Sequence, residues 1–259
     1  MRILVTGATG GLGREVARAA RAAGHAVRLA SRRARADEGA GEWAVMDVET
    51  DQGVGEALAG VDTVIHAASD PRRHAAVDVQ GTRRLAQAAR EAGTAHLVYV
   101  SIVGVEAIPF AYYRAKREAE RIVADSGVPH SILRATQFHS LIDAMLSGLA
   151  RVPLALPLPA GFRFQPVDTA EVAERLVRAA EDGPGGRLPD FGGPEVLPLR
   201  EMAGAWKAAR GVRKPVLPLP LPGALASAFR AGMNTVPHGH GDRGTLRWEE
   251  WLRRPALPS

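Results

Sequence analysis

The chain opens on "RILVTGATGGLGREVARAARAAG", a short apolar run that breaks into glycines and continues as an Ala/Arg segment of helical period. Nothing else in the sequence constrains the fold as strongly. Residues 2–6 read as a buried strand, and 10–24 as a helix ending at Gly24. The alternation then repeats: strands are expected at 25–31, 42–47, 61–68, 95–101 and 129–135. Helices are expected at 72–93 and along "AYYRAKREAE", residues 111–120. Strands alternating with helices need crossover connections, so the expected class is α/β, a doubly wound parallel sheet covered on both faces. Ligands of such sheets bind beyond the carboxyl ends of the strands.

After about residue 140 the rhythm changes. "RVPLALPLPAGFRFQPVD" and "PVLPLPLPG" are rich in proline with little helical period, and only 169–183 is a clear amphipathic helix. We expect a first domain over 1–140, with helix 169–183 packing back on it. A smaller C-terminal substrate lobe over 141–259 would lie across a soft boundary.

Composition narrows the function. The chain has no cysteine, which excludes disulfides, thiolate zinc sites and a cysteine nucleophile and fits a cytoplasmic protein. A formal charge of +5 invites a nucleic-acid partner, yet the arginines are scattered as singles and short pairs, so none is expected. The first apolar run breaks after four residues, and no later run is long enough to cross a bilayer, so neither leader nor membrane partner is expected. His238 and His240 in "PHGHGD" lack a third ligand and a rigid frame, so no metal is expected. The absence of a Gly-x-Ser-x-Gly turn counts against a hydrolase. Asp125, Glu118 and Glu120 read as solvated helix charges, and Trp248 and Trp251 as packing residues.

Gly7, Gly10 and Gly13 stand between the first strand and the first helix. Glycines there let the backbone turn sharply and approach a pyrophosphate, whose charge the free N–H groups of the helix start favour. At the end of the second strand, where an acid would bind the ribose of NAD, the chain reads "ASRRAR" and shows no acid before Asp37. Ser31 and Arg32, helped by Arg33, suit a 2′-phosphate instead, so NADP(H) is preferred over NAD(H). Tyr112 and Lys116 lie one helical turn apart. A phenol there acts as general acid toward a substrate oxygen, and the lysine charge is expected to lower its pKa. Tyr113 points elsewhere and packs.

The Gly-x-x-Gly-x-x-Gly spacing resembles the extended and atypical branches of the short-chain dehydrogenase/reductase superfamily. So do "VIHAAS" (64–69), "VDVQGTRRLAQAA" (77–89), "LVYVSIVG" (97–104) and "YYRAK". "ILRATQFH" (132–139) and the closing "WEEWL" are similar to its NmrA-like NAD(P)H-binding subgroup. The resemblance implies a Rossmann-type sheet with Gly7, Thr9, Gly10, Gly11, Leu12 and Gly13 at the phosphates. It places Asp47 and Val48 at the adenine, and Ala67, Ala68 and Ser69 along the cofactor. Lys116 would hold the nicotinamide ribose, and Thr136, Gln137 and Phe138 would meet the carboxamide. Ser101 would join Tyr112 and Lys116 as a catalytic residue, and His139 would line the substrate pocket. The chain departs from the family where Ile102 and Val103 follow Ser101, and where Asp78 replaces the Asn of the long helix.

These residues lead us to expect an NADP(H)-dependent oxidoreductase that reduces a small organic carbonyl or an activated double bond. The alternatives are a non-catalytic NAD(P)H-binding redox sensor or assembly factor, and an epimerase or isomerase using the same cofactor. A small-molecule substrate and a second copy of the chain, as a homodimer, are the candidate partners.

Overall fold

The computed structural model describes residues 1–35 and 42–254; Asp37, and with it the question of a later acid, lies outside them. The described chain divides into two units. The first comprises Met1–Ser101, Ala111–Arg134 and Thr169–Leu188. In it β1 (Arg2–Thr6), β2 (Ala26–Ser31), β3 (Glu42–Val45), β4 (Thr63–His66), β5 (His96–Ile102) and β6 (His130–Ala135) form one sheet in the order β6-β5-β4-β1-β2-β3. Pairing is parallel from β3 through β5, with Ile3 opposite Val27 on one side and Thr63 on the other. The strands are continuous apolar runs because both faces are covered: Ile3, Leu4, Val5, Val64, Ile65, Leu97 and Val98 are fully buried. Each contributes about 2 kcal/mol.

α1 (Gly11–Ala22) leads from β1 to β2, while β4 lies on the other side of β1. The connections therefore diverge after β1 and after β4, and this reversal opens a crevice at the carboxyl ends. α2 (Val54–Leu58), α3 (Thr82–Glu91) and α4 (Ala111–Ala124) complete the crossovers, and the later α6 (Thr169–Asp182) packs against α1. The expected long helix over 72–93 is divided: α3 is preceded by a π-helical turn, Ala75–Gly81. The third strand ends at Val45, earlier than expected, because Asp47 leaves the sheet to bridge Gln52.

One expected surface charge is not on the surface. Glu120 is 7% exposed and binds Arg134 of β6 through two hydrogen bonds, Arg134 Nε to Oε1 at 2.7 Å and Nη2 to Oε2 at 2.6 Å. The fork geometry explains why the carboxylate tolerates burial: both its oxygens are satisfied. It ties α4 to β6.

The second unit comprises Ile102–Phe110, Ala135–Asp168 and the chain from Pro189 onward. Its core gathers Ile142 and Leu146 of α5 (His139–Leu149), Met202 and Trp206 of α7 (Leu199–Arg210) and Trp248 of α9 (Trp248–Arg253). Leu156, Leu158 and Phe164 complete it, from β7 (Leu156–Pro159) and β8 (Arg163–Phe164). The proline-rich segments form strands. β7 pairs in parallel with β12 (Val216–Leu219), Leu156 opposite Val216. The alternation of Leu and Pro suits a two-stranded sheet, where a residue without an N–H can face the open edge while Leu156 and Leu158 point inward. Among the described residues no helix is long and apolar enough to cross a membrane.

Candidate functional site: a cleft at the glycine turn and a tyrosine at its rim

The glycine turn is held by backbone geometry. Gly7 has φ of +65°, and a Cβ there would stand 2.7 Å from the Ala67 carbonyl oxygen. A Cβ on Gly13 would meet the Gly7 carbonyl oxygen at 2.2 Å, so α1 can pack this closely on the turn only with glycine at that position. Gly10 accepts the Arg14 N–H at 3.0 Å and caps α1 without any side chain. No acid stands in the first turn of α1. The free N–H groups and positive end of the helix dipole are thus left available to an anion.

Beside this turn lies a cleft of about 210 Å³ lined by Gly7, Thr9, Gly10, Ser31, Arg32, Asp47, Val48, Ala67, Ala68 and Ser69, among others. Ten of the residues expected at the cofactor from sequence thus share one wall-to-wall space. Arg32 is the cation of that lining. Glu49, also in the lining, is paired with Arg73. Of the remaining turn residues, Gly11 is exposed, while Leu12 and Gly13 are buried in the seat of α1.

A buried network unmarked in the sequence fixes the cleft's far wall. The Thr6 hydroxyl accepts the N–H groups of Ala67 and Ala68, both at 3.2 Å, and lies 2.7 Å from His66 Nδ1. Since Thr6 has one proton to give, it donates to Nδ1, and His66 Nε2–H donates to Thr82 Oγ1 at 3.0 Å. Burial first, and the Lys116 charge next, push the His66 pKa down to about 3, so the ring is neutral and this tautomer is locked.

At the rim stands Tyr112, half-buried at the start of α4, its hydroxyl 2.7 Å from Ser69 Oγ. Ser69 in turn donates to Asp78 Oδ1 at 2.6 Å. Asp78 is fully buried on the π-helical turn and also accepts the Asp70 N–H at 3.2 Å. Lys116 does not point at Tyr112. It is 3% exposed, donates to the Val100 carbonyl at 2.8 Å, pairs with Asp78 Oδ1 at 3.6 Å, and lies 4.3 Å from the centre of the Tyr99 ring.

This corrects the expected electrostatics. Tyr112 is not lowered by Lys116; burial first and the Asp78 charge second raise its pKa above the usual phenol value, opposed by the Ser69 hydrogen bond. Burial brings Lys116 down to about 8, against the upward pull of Asp78 and Glu120. Ser101 ends the same strand region with its hydroxyl buried and without a partner among the described residues, and it is not part of the cleft lining.

Thr136, Phe138 and His139 belong to the second unit. The Thr136 hydroxyl donates to the Gln165 carbonyl, and Phe138 precedes α5 and bridges Val167. His139 is 1% exposed and stacks on Trp248 and Trp251, with ring centres 5.8 and 5.5 Å away. Burial first holds it down to about 4, so it is a neutral packing ring in that unit.

Comparison with known proteins gives the family and the fold. A family profile described as NAD(P)H-binding matches residues 7–182. The chain is 36% identical over 205 residues to the (4-alkanoyl-5-oxo-2,5-dihydrofuran-3-yl)methyl phosphate reductase of Streptomyces griseus, covering 77% of this chain and 70% of that protein. It is 28% identical over 266 residues to the 4-hydroxy-2-methyl-3-oxo-4-farnesyl-3,4-dihydroquinoline-1-oxide ketoreductase of Stigmatella aurantiaca, covering 88% and 79% of the two chains. The NADPH-dependent quinone oxidoreductase of Escherichia coli, solved with NADPH, superposes with a TM-score of 0.73 at 20% identity over 90% of this chain and 88% of that one. A matched segment that runs from the glycine turn through α6, over a sheet of this topology, places the protein: it belongs to the NAD(P)H-binding family.

Proposed function

We propose that the protein is an NADP(H)-dependent oxidoreductase that reduces a small organic carbonyl or an activated double bond, with Tyr112 as its general acid. One observation carries this reading: Ser69 lines the nucleotide cleft and is hydrogen-bonded to the Tyr112 hydroxyl, so a proton donor stands at the rim of the cleft. The residues fit the cofactor. The uncapped start of α1 suits its pyrophosphate, Asp47 and Val48 its adenine end, and Ser31 with Arg32 a 2′-phosphate. When bound, the cofactor supplies the hydride. Tyr112, kept protonated by burial and Asp78, holds the proton that a developing substrate oxyanion takes. The two relatives named above as a reductase and a ketoreductase support the reaction class.

Two measurements test it. Calorimetric titration should show tighter binding of NADPH than NADH, and Arg32→Ala should weaken NADPH about tenfold while leaving NADH unchanged. Equal affinities for the two cofactors would remove the 2′-phosphate assignment. In a panel of carbonyl and enone substrates, Tyr112→Phe should lower kcat roughly 100-fold or more; a variant as fast as wild type would show that another group is the acid.

A further inference from the structure

The proline-rich ribbon of the second unit turns apolar side chains outward as well as inward. In the register of β7 and β12 the inner face holds Leu156 and Leu158, both buried. The outer face sets Leu217 opposite Pro157 and Leu219 opposite Pro159. Leu217 is 50% exposed. From Leu217 to Leu225 every residue is exposed, and none carries a polar side chain.

The loop that leads into β7 adds a tip to this strip. Leu154 is 88% exposed and has φ of +67°. Around it the Ala155 N–H donates to the Pro153 carbonyl at 2.8 Å, which makes a γ-turn of the rare, strained hand. A leucine is thus held out in water by a backbone conformation that favours glycine. Val152, two residues earlier, is exposed too. Lys214 ties the tip to the chain entering β12: its Nζ donates to the Ala150 carbonyl at 2.6 Å and to the Val152 carbonyl at 2.8 Å.

The charge along this strip has one sign. Residues 144–167 and 202–241 contain the tip, both strands and the exposed leucines. They hold seven Lys and Arg and no Asp or Glu. With 28 acids in 259 residues, about seven would be expected there. Of the seven cations only Arg210 is paired with a carboxylate among the described residues, that of Asp143. Arg151 stands beside Val152 in the tip and Arg213 precedes Lys214; both are exposed.

We propose that this strip is a contact for an anionic lipid bilayer, with Leu154, Leu217 and Leu219 entering the headgroup region while Arg151 and Arg213 meet lipid phosphates. Charge selects this occupant. A second copy would set cation against cation. A partner strand would need donors on the open edge of β12. There the Ala160 N–H donates to the Leu219 carbonyl, so Leu219 turns toward β7, and its neighbours Pro218 and Pro220, which have no N–H, turn away. A bilayer surface asks for neither a matching shape nor backbone donors, only for apolar side chains and nearby cations. It needs no span either, and it was the want of a span that spoke against a membrane partner in the sequence.

Vesicle co-sedimentation of the full chain tests the contact. Phosphatidylcholine vesicles carrying about 30% phosphatidylglycerol should bind it at least tenfold more tightly than phosphatidylcholine alone at low salt, and roughly 0.5 M NaCl should erase most of the difference. Leu154→Gly should weaken binding about tenfold without lowering the urea midpoint, since glycine accepts the positive φ. Leu217→Ser should weaken it by a similar factor. Arg151→Gln combined with Arg213→Gln should cost about tenfold on the anionic vesicles and nothing on the neutral ones. Equal binding to both compositions, or binding that neither leucine variant weakens, would overturn the proposal. Failure to bind either vesicle would overturn it in favour of an acidic protein partner. A dimer in sedimentation velocity that Leu217→Ser dissolves would overturn it in favour of a second copy.

Discussion

The two ends of the site in the first unit are built from different materials. The glycine-turn end is backbone: a turn at Gly7, a helix seat at Gly13 and uncapped N–H groups, all within one stretch of chain. The tyrosine end is side chain: Ser69, Asp78, Tyr112 and Lys116 meet from the segment after β4, the π-helical turn and α4. A backbone site tolerates almost any side chain except at the glycines that shape it. A side-chain site depends on each partner, since an unpaired buried group costs more than the bond it made was worth.

That contrast can be broken deliberately. The largest effect should come from Gly13→Ala, whose Cβ would stand 2.2 Å from a backbone oxygen that cannot swing away. It should destabilise the fold by about 3 kcal/mol or more, read as a shift in urea midpoint, and abolish cofactor binding. Loss of the Tyr112 hydroxyl should leave the midpoint nearly unmoved while removing turnover, so stability and activity separate at the two ends.

Acid should act through buried histidines. His66 at about 3 and His139 at about 4 are neutral when folded but protonate near 6.5 when unfolded. Between those values the unfolded chain binds more protons, so stability falls as pH drops through 6.5 and goes on falling toward the folded pKa. At pH 5 each should remove about 2 kcal/mol relative to pH 7, measured by urea unfolding. His66→Gln should remove its share of that slope and leave the His139 share. The smallest effect should come from Gly11→Ala: a Cβ there meets nothing within 4 Å, so stability should change by less than about 1 kcal/mol. A large loss there would mean that the start of α1 is held by side-chain space after all, and the contrast between the two ends would fail.

The glycine turn and the cleft beside it were legible because their signal is local. Glycines at fixed spacing between an apolar run and a helical segment state where the backbone must turn, and ten of the residues expected at the cofactor line one cleft. Spacing also brought Tyr112 and Lys116 onto one helix, but not what each would face. Lys116 turns inward to Asp78 and Val100, and no count of residues along α4 predicts that. Glu120 read as a solvated charge for the same reason: its partner Arg134 is fourteen residues away, on β6. The proline-rich segments were opaque because their strands are paired across some sixty residues, β7 with β12, and no local period marks which segment pairs with which.

By itself the sequence determined the α/β alternation, the glycine turn and the chemistry available at each position, because these follow from covalent geometry and hydrophobic period within short windows. Only the tertiary structure decided that Asp78 stands between Tyr112 and Lys116, that Thr6 and Thr82 clamp His66, and that His139 is walled in by tryptophans. Protonation and pairing depend on burial and on distances of a few ångströms between segments far apart in the chain, and those distances exist only once the chain has folded.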